Sequence, residues 1–445
     1  MRILVINGSP KGENSVTLQT VLYLEKHFPE HRFVYLHAGQ RVRALEKDFS
    51  PAAVELEQAE LLLFAYPVYT FLVPSQLHRF VELMKESGVS LAGKYASQIS
   101  TSKHFYDITA HAFLEDNFFD MGLRVVRGLS ADMEDLLSPK GRQECLAFFR
   151  HLLFCAERGL CLPERAALPA AAHLPVTLPP ESTEKKDRRV AIVASDLADP
   201  QLAAMVEAFC RRVPAGVRVI DLTKVRMDGG CISCFHCSTK GECIYKDGFD
   251  RFLREEIQTS DAIVLAFTVR DHSMGSLFKR YDDRQFCNGH RTVTAGMPFG
   301  YLISGNPEAE SNLMTVIRAR AEVGGNYLAG VASDQRDPDG EIAALAENLA
   351  WAMENRFTQP ANFWGVGGMK IFRDLIWQMQ GMMKADHRFY KEHGLYDFPQ
   401  KHRGKMLAMY LVGGLMSSPK LQAKAGGKMT EGMLAPYKKV LEKEE

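Results

Sequence analysis

Four of the nine cysteines fall together in CISCFHCSTKGEC, residues 231–243. Cys231, Cys234, Cys237 and Cys243 are separated by two, two and five residues, while Cys145, Cys155, Cys161, Cys210 and Cys287 are scattered. Thiolates two residues apart on a tight loop can converge on one inorganic centre. C-x2-C-x2-C with a fourth ligand elsewhere is the spacing used for cubane iron–sulfur ligation. Gly229-Gly230 before the loop and Lys240-Gly241 within it let the backbone wrap closely and turn N–H groups toward sulfur. A structural zinc also accepts four cysteines, but its sites usually pair two C-x2-C knuckles across a longer gap. Four thiols without metal are the remaining reading. In a reducing compartment such a group serves metal binding or redox chemistry rather than disulfides.

A second set of residues suits a phosphate. Gly8-Ser9-Pro10-Lys11-Gly12-Glu13-Asn14-Ser15 follows the apolar run RILVI and leads into a helical pattern. Backbone N–H groups and a helix N-terminus at such a turn attract an anion. Ser9, Asn14, Ser15 and Thr17 add short donors, and Lys11 adds charge. Neither G-x-G-x-x-G nor G-x-x-x-x-G-K-[ST] is spelled here, so the dinucleotide fingerprint and the Walker loop are excluded. A plain capping turn is the simpler alternative. Two further loops share the same expected edge. Tyr66-Pro67-Val68-Tyr69-Thr70-Phe71 ends an apolar strand and offers surfaces for a flat ring, and Ser100-Thr101-Ser102-Lys103-His104-Phe105-Tyr106 ends the next.

Strands must position these loops. RILVI, RFVYLHA, ELLLFAYPVY, KYASQISTS and LRVVRGLSA alternate with amphipathic helical segments over residues 1–160. That alternation predicts an α/β domain with a doubly wound, five-stranded parallel sheet. Residues 161–188 are rich in Pro and Ala and end in charges, as a linker does. The rhythm restarts over 189–357 with RRVAIVASD, VRVIDL, DAIVLAF, GYLIS and YLAGVA, and with a helix expected over 247–257. The chain therefore reads as two copies of one architecture. The tail, 358–445, carries FWGVGGMKIF, DLIWQMQGMMKADHRFY and MLAMYLVGGLM, and reads as a helical extension packed over both domains.

The first loops resemble those of the NAD(P)H-dependent FMN reductase branch of the flavodoxin-like superfamily. GSPKGENS, with YPVYTFLVPSQ about fifty residues later, carries that resemblance. It implies that Ser9, Lys11, Asn14, Ser15 and Thr17 hold the phosphate of FMN. It implies that Pro67, Val68, Tyr69, Thr70 and Phe71 line the ring, with Ser100, Thr101, Ser102 and His104 on a third wall. CISCFHCSTKGECIYKDGFDRF is similar to the compact cysteine motif of the iron–sulfur flavoproteins, in which it follows the second strand and binds a 4Fe–4S cluster. The resemblance makes all four cysteines ligands.

The two copies divide this labour. The first turn of the second copy, Ser195-Asp196-Leu197-Ala198-Asp199-Pro200, has gained two acids that would repel a phosphate. Phe267-Thr268-Val269-Arg270-Asp271-His272 lacks the aromatics of YPVYTF, and the first copy has no cysteine where the second has four. The expected function is an oxidoreductase passing electrons between NAD(P)H or ferredoxin, FMN on the first domain and a cluster on the second, to a small acceptor. An electron carrier without its own small substrate, and a zinc-stabilised FMN-binding module, are the alternatives. His104, His111, Tyr69 and Tyr106 are candidate proton donors, with no catalytic assignment made. Arg280 and Arg284 read as a solvated basic face, with anion contacts as the alternative.

Hydrophobic residues make up 46% of the chain and charged residues 24%, with formal net charge zero. That balance supports neither a nucleic-acid nor an anionic-membrane partner. No apolar run is long enough to span a bilayer, and the start MRILVINGSP is no signal peptide, so the expected location is cytoplasmic. The resemblance leaves a homodimer open, although tandem copies within one chain can substitute for it.

Overall fold

The first sheet of the computed structural model comprises β1 (Arg2–Asn7), β2 (Arg32–Leu36), β3 (Leu61–Pro67), β4 (Tyr95–Ser102), β5 (Arg124–Val125) and β6 (Leu129–Asp132). The order is β2-β1-β3-β4-β5, with β6 also paired to β4, and every pairing is parallel. This is the flavodoxin-like order. The expected fifth strand is broken at Gly128. A Cβ there would lie 2.4 Å from the Gln98 side chain and 2.5 Å from its carbonyl oxygen. The second sheet comprises β7 (Arg189–Ala194), β8 (Gly216–Asp221), β9 (Ala262–Thr268), β10 (Pro298–Ser304) and β11 (Tyr327–Ser333), ordered β11-β10-β9-β7-β8. It is a second copy of the same topology.

The structure describes residues 1–163, 165, 169–182, 187–401 and 403–418, with Leu434, Tyr437, Val440 and Glu442 beyond them. Parts of the expected linker (164, 166–168, 183–186) and most of the tail after 418 lie outside the described residues. The chain forms one unit over Met1–Phe389 and another over Tyr390–Glu445, so the expected tail extension falls on both.

Alternation along the strands explains why both sheets share the first unit. In β1, Ile3 and Val5 face one core, while Leu4 and Ile6 face another. In β7, Val190 and Ile192 face a third, while Ala191 and Val193 join the core that holds Leu4 and Ile6. The inner faces of the two sheets thus share one continuous apolar core.

Two helices seam the halves together. Ser75–Glu86, after β3, packs on Gly275–Arg284, after β9. Equivalent positions are offset by 201 residues, pairing Ser75 with Ser276, His78 with Lys279, and Glu82 with Asp283. The Ser75 N–H donates to Asp283 Oδ2 at 2.7 Å, and the Ser276 N–H donates to Glu82 Oε1 at 2.6 Å. Each helix start is therefore satisfied by a carboxylate from the other helix. Lys279 is fully buried, ion-paired to Asp283, and donates to the Tyr69 carbonyl at 2.9 Å.

The helix expected over 247–257 is a short α-helix, Phe249–Phe252, running into a π-helical turn, Leu253–Ile257. The helix Phe363–Gln378 packs on Ser311–Gly324 of the second half and reaches the first, where Tyr106 Oη donates to the Trp364 carbonyl at 3.0 Å. In the second unit, the helix Arg403–Met416 exposes Leu407, Tyr410 and Leu411. No helix among the described residues is long and apolar enough to cross a membrane.

Replacing Asp283 with Ala strands the Lys279 ammonium in the interior. Urea unfolding is expected to show a loss of about 3–5 kcal/mol, and the double variant Lys279→Met/Asp283→Leu a much smaller one.

Candidate functional site

The first loop is shaped by the strand that precedes it. Asn7, the last residue of β1, donates from Nδ2 to the Gly12 carbonyl at 2.8 Å and accepts from the Ser9 N–H at 3.1 Å. A Cβ on Gly39 would lie 2.2 Å from the Gly8 carbonyl oxygen, so the helix Ala38–Leu45 presses directly on the turn. Ser15 caps the helix Val16–His27, accepting from the Leu18 N–H at 3.4 Å. Thr17 and Thr101 share a hydroxyl–hydroxyl bond of 2.6 Å that ties this loop to the end of β4.

The loop after β3 turns through left-handed backbone at Thr70 (φ 43°) and Phe71 (φ 70°), closed by paired Tyr69–Leu72 backbone bonds of 2.8 and 3.0 Å. The cysteine loop uses the same device at Ser233 (φ 50°) and Phe235 (φ 59°), and the Ser233 N–H points at Cys231 Sγ, 3.4 Å away. It is fastened to the first half: Gln76 Nε2 donates to the Cys231 carbonyl at 3.2 Å. A Cβ on Gly230 would lie 2.3 Å from Ser75 Oγ and 2.8 Å from Gln76 Nε2, so any larger residue would have to displace these side chains.

These loops enclose one cavity. Ser9, Lys11, Ser15 and Thr17 line it beside Pro67, Val68, Tyr69 and Thr70, with Thr101 and Ser102 of the third loop. Cys231, Cys234, Cys237 and Cys243 line the same cavity from the other half. Lys11 Nζ lies 5.8 Å from the ring centre of Phe235 in the cysteine loop. The remaining expected residues stand behind the walls. Asn14 is exposed, and Phe71 packs on Phe105 and Tyr106 at 5.1 and 4.6 Å. Ser100 Oγ bonds His111 Nε2 at 2.8 Å, and His104 Nδ1 pairs with Asp107 at 2.9 Å. Burial pushes His111 down to about 4, so this imidazole is neutral at pH 7.

Sequence reasoning missed two walls. Ile371, Phe372, Leu375 and Met379 cover the cavity from the helix Phe363–Gln378 and the residue after it, and Phe372 stacks on Phe105 at 4.5 Å. Their helical spacing marks an apolar stripe, but nothing local says what it covers. Tyr245, Arg284, Phe286 and Cys287 complete the second half's side. Arg284 is not a solvated cation. It is buried against Asp247, at 2.7 and 2.9 Å, over the rings of Tyr245 and Phe249, with Nη2 3.9 Å from Cys243 Sγ.

Four cysteines on one wall are a donor set for a metal centre. Burial pushes the Cys231 thiol well up and the Cys237 thiol up to about 11, so thiolates here need a cationic centre to stabilise them. In the second copy the corresponding helix start is already taken by a carboxylate. Asp199 caps the helix Pro200–Arg212, accepting from the Gln201 and Leu202 N–H groups at 3.0 and 3.3 Å and from the Thr268 hydroxyl at 2.5 Å.

A family model described as a flavodoxin-like fold matches residues 1–130. An iron–sulfur flavoprotein from Archaeoglobus fulgidus is 30% identical over 173 residues, which span 37% of this chain and 78% of that protein. Among solved structures, an FMN-dependent NADH-azoreductase from Bacillus anthracis is 16% identical and covers 35% of this chain and 98% of its own, with a TM-score of 0.27. An NAD(P)H:quinone oxidoreductase from Methanothermobacter marburgensis is 11% identical and covers 37% and 99%, with a TM-score of 0.28.

Burial raises the pKa of Asp247, but Arg284 and the N–H groups of Asp228 and Phe249 outweigh it and hold the carboxyl down to about 2. Because the folded value is depressed, its stabilisation is fully present above pH 3.8 and lost as pH falls through about 2. Asp247→Ala is expected to cost about 3–5 kcal/mol at neutral pH in urea unfolding. The wild-type margin over this variant should shrink between pH 4 and 2.

Proposed function

This chain belongs to the iron–sulfur flavoprotein family, and we propose that it is an oxidoreductase carrying both its redox groups in one cavity. FMN sits on the first sheet and a 4Fe–4S cluster on the loop after β8, with NAD(P)H or ferredoxin as donor and a small molecule as acceptor. Bound there, FMN takes an electron pair as hydride and exchanges electrons singly with an iron–sulfur centre. The observation that carries this reading is that the phosphate loop, the ring loop and all four cysteines line the same cavity.

The roles follow from position. Ser9, Lys11, Ser15 and Thr17 hold the phosphate at the start of the helix Val16–His27, where N–H groups and the Lys11 charge favour an anion, while Asn14 lies outside the cavity lining. Pro67, Val68, Tyr69 and Thr70 flank the ring, with Phe71 bracing their turn against Phe105 and Tyr106. Thr101 and Ser102 form the third wall, and Ser100 and His104 orient it through His111 and Asp107. Cys231, Cys234, Cys237 and Cys243 hold the cluster, with the Ser233 N–H and the Arg284 guanidinium directed at sulfur. Phe372 and Leu375 exclude water from the junction.

Anaerobically purified protein is expected to contain one FMN, about four irons and four acid-labile sulfides per chain. Cys237→Ser should lose iron and sulfide while keeping FMN, and Lys11→Ala should weaken FMN binding at least tenfold while keeping iron. NAD(P)H or reduced ferredoxin should bleach the flavin band and then the cluster band. Zinc in place of iron, or flavin that never exchanges electrons with the cluster, would contradict the reading.

A further inference from the structure

A third group of ligand-type side chains lies where the halves meet. His78 and Glu82 stand one turn apart on the helix Ser75–Glu86, and Asp271 comes from the turn after β9. One ligand atom from each lies within 4.8 Å of the other two. His78 is fully buried, and neither ring nitrogen has a hydrogen-bond partner. An imidazole so enclosed, with Phe113 packed on it at 4.5 Å, leaves a donor and an acceptor unsatisfied. Burial pushes its pKa down to about 4, so it is neutral, with a free lone pair, at pH 7.

The equivalent niche in the other copy shows what such a position accommodates. There Lys279 replaces His78, Asp283 replaces Glu82 and Thr70 replaces Asp271, each offset by 201 residues. The Lys279 ammonium joins Asp283 to the Tyr69 carbonyl, and Thr70 Oγ1 donates to Asp283 at 3.3 Å. The His78 niche has exchanged that built-in cation for a neutral imidazole and gained a carboxylate. Arg79 bonds Glu82 at 3.0 Å and Lys85 bonds Asp271 at 2.9 Å, yet neither meets the imidazole. Glu82 also accepts from the Ser276 N–H and hydroxyl, both at 2.6 Å, which fixes the carboxylate while leaving it lone pairs to share. Asp271 is delivered from left-handed backbone, φ 51°, held by Asn117 Nδ2 donating to its carbonyl at 3.1 Å.

We propose that His78, Glu82 and Asp271 bind a divalent first-row transition ion of the zinc type, which clamps the two halves together at their seam. One imidazole with two carboxylates suits such an ion better than magnesium or calcium. Three protein ligands leave a fourth, tetrahedral position for water. This site is separate from the cavity and does not depend on what fills it.

The test uses the anaerobically purified holoprotein and Zn2+ as probe, followed by calorimetric titration, elemental analysis and thermal unfolding. Wild type is expected to take up one zinc per chain with no loss of iron or flavin, and to melt at a higher temperature with zinc present. His78→Ala and Asp271→Asn should each weaken zinc binding at least tenfold and abolish the thermal shift, with the visible spectrum unchanged. Should His78→Ala not fold, Asp271→Asn, on an interdomain turn, decides the matter. No zinc uptake by wild type, uptake that survives Asp271→Asn, or uptake lost only in Cys234→Ser would overturn the proposal.

Discussion

Two helices, one from each half, exchange carboxylates at their first turns, and the rest of the first unit follows from that exchange. Asp283 accepts from the Ser75 N–H, and Glu82 accepts from the Ser276 N–H. A buried carboxylate must find its donors or lose several kcal/mol. The two helices can therefore meet in few registers, and the chosen one places the carboxyl ends of β1, β3 and β4 opposite the loop after β8. The shared core of Leu4, Ile6, Ala191 and Val193 supplies non-directional adhesion, while the carboxylates set the alignment.

Duplication explains how one chain comes to hold two unlike sites. The copies differ after their second strands: β2 runs straight into the helix Ala38–Leu45, while β8 is followed by the long loop that carries the four cysteines. In the first copy the helix after β1 is capped by the neutral Ser15 hydroxyl, which accepts from the Leu18 N–H. In the second, Asp199 occupies the corresponding N–H groups with a carboxylate of its own. Beside the cysteines, Gly230 lets the loop press against Ser75 of the other copy. The sites are complementary because the contact between copies is itself part of each wall.

Much of this was legible in the sequence. Alternating strands and helices gave both sheets, and the cysteine loop lies directly beyond the strand that VRVIDL predicts. Local spelling also marked Lys11, Ser15, Tyr69 and Thr70, which meet at one cavity. The rest depends on distance through space. The fifth strand is interrupted before Leu129, and there Gln98, thirty residues earlier, leaves no room for a Cβ on Gly128. Arg284 reads as a surface cation until Asp247 and two rings are found around it. Phe372 and Leu375 have the spacing of any amphipathic helix, and only the fold shows them closing the cavity.

The central claim is that flavin and cluster share one cavity within a single chain. An anomalous-scattering map at the iron edge, from crystals of the holoprotein, tests it most directly. The account predicts iron among the four sulfurs of residues 231–243, with FMN density against Tyr69 and Lys11 in the same cavity. Iron elsewhere, a different metal on those sulfurs, or flavin seated on the second sheet would contradict it.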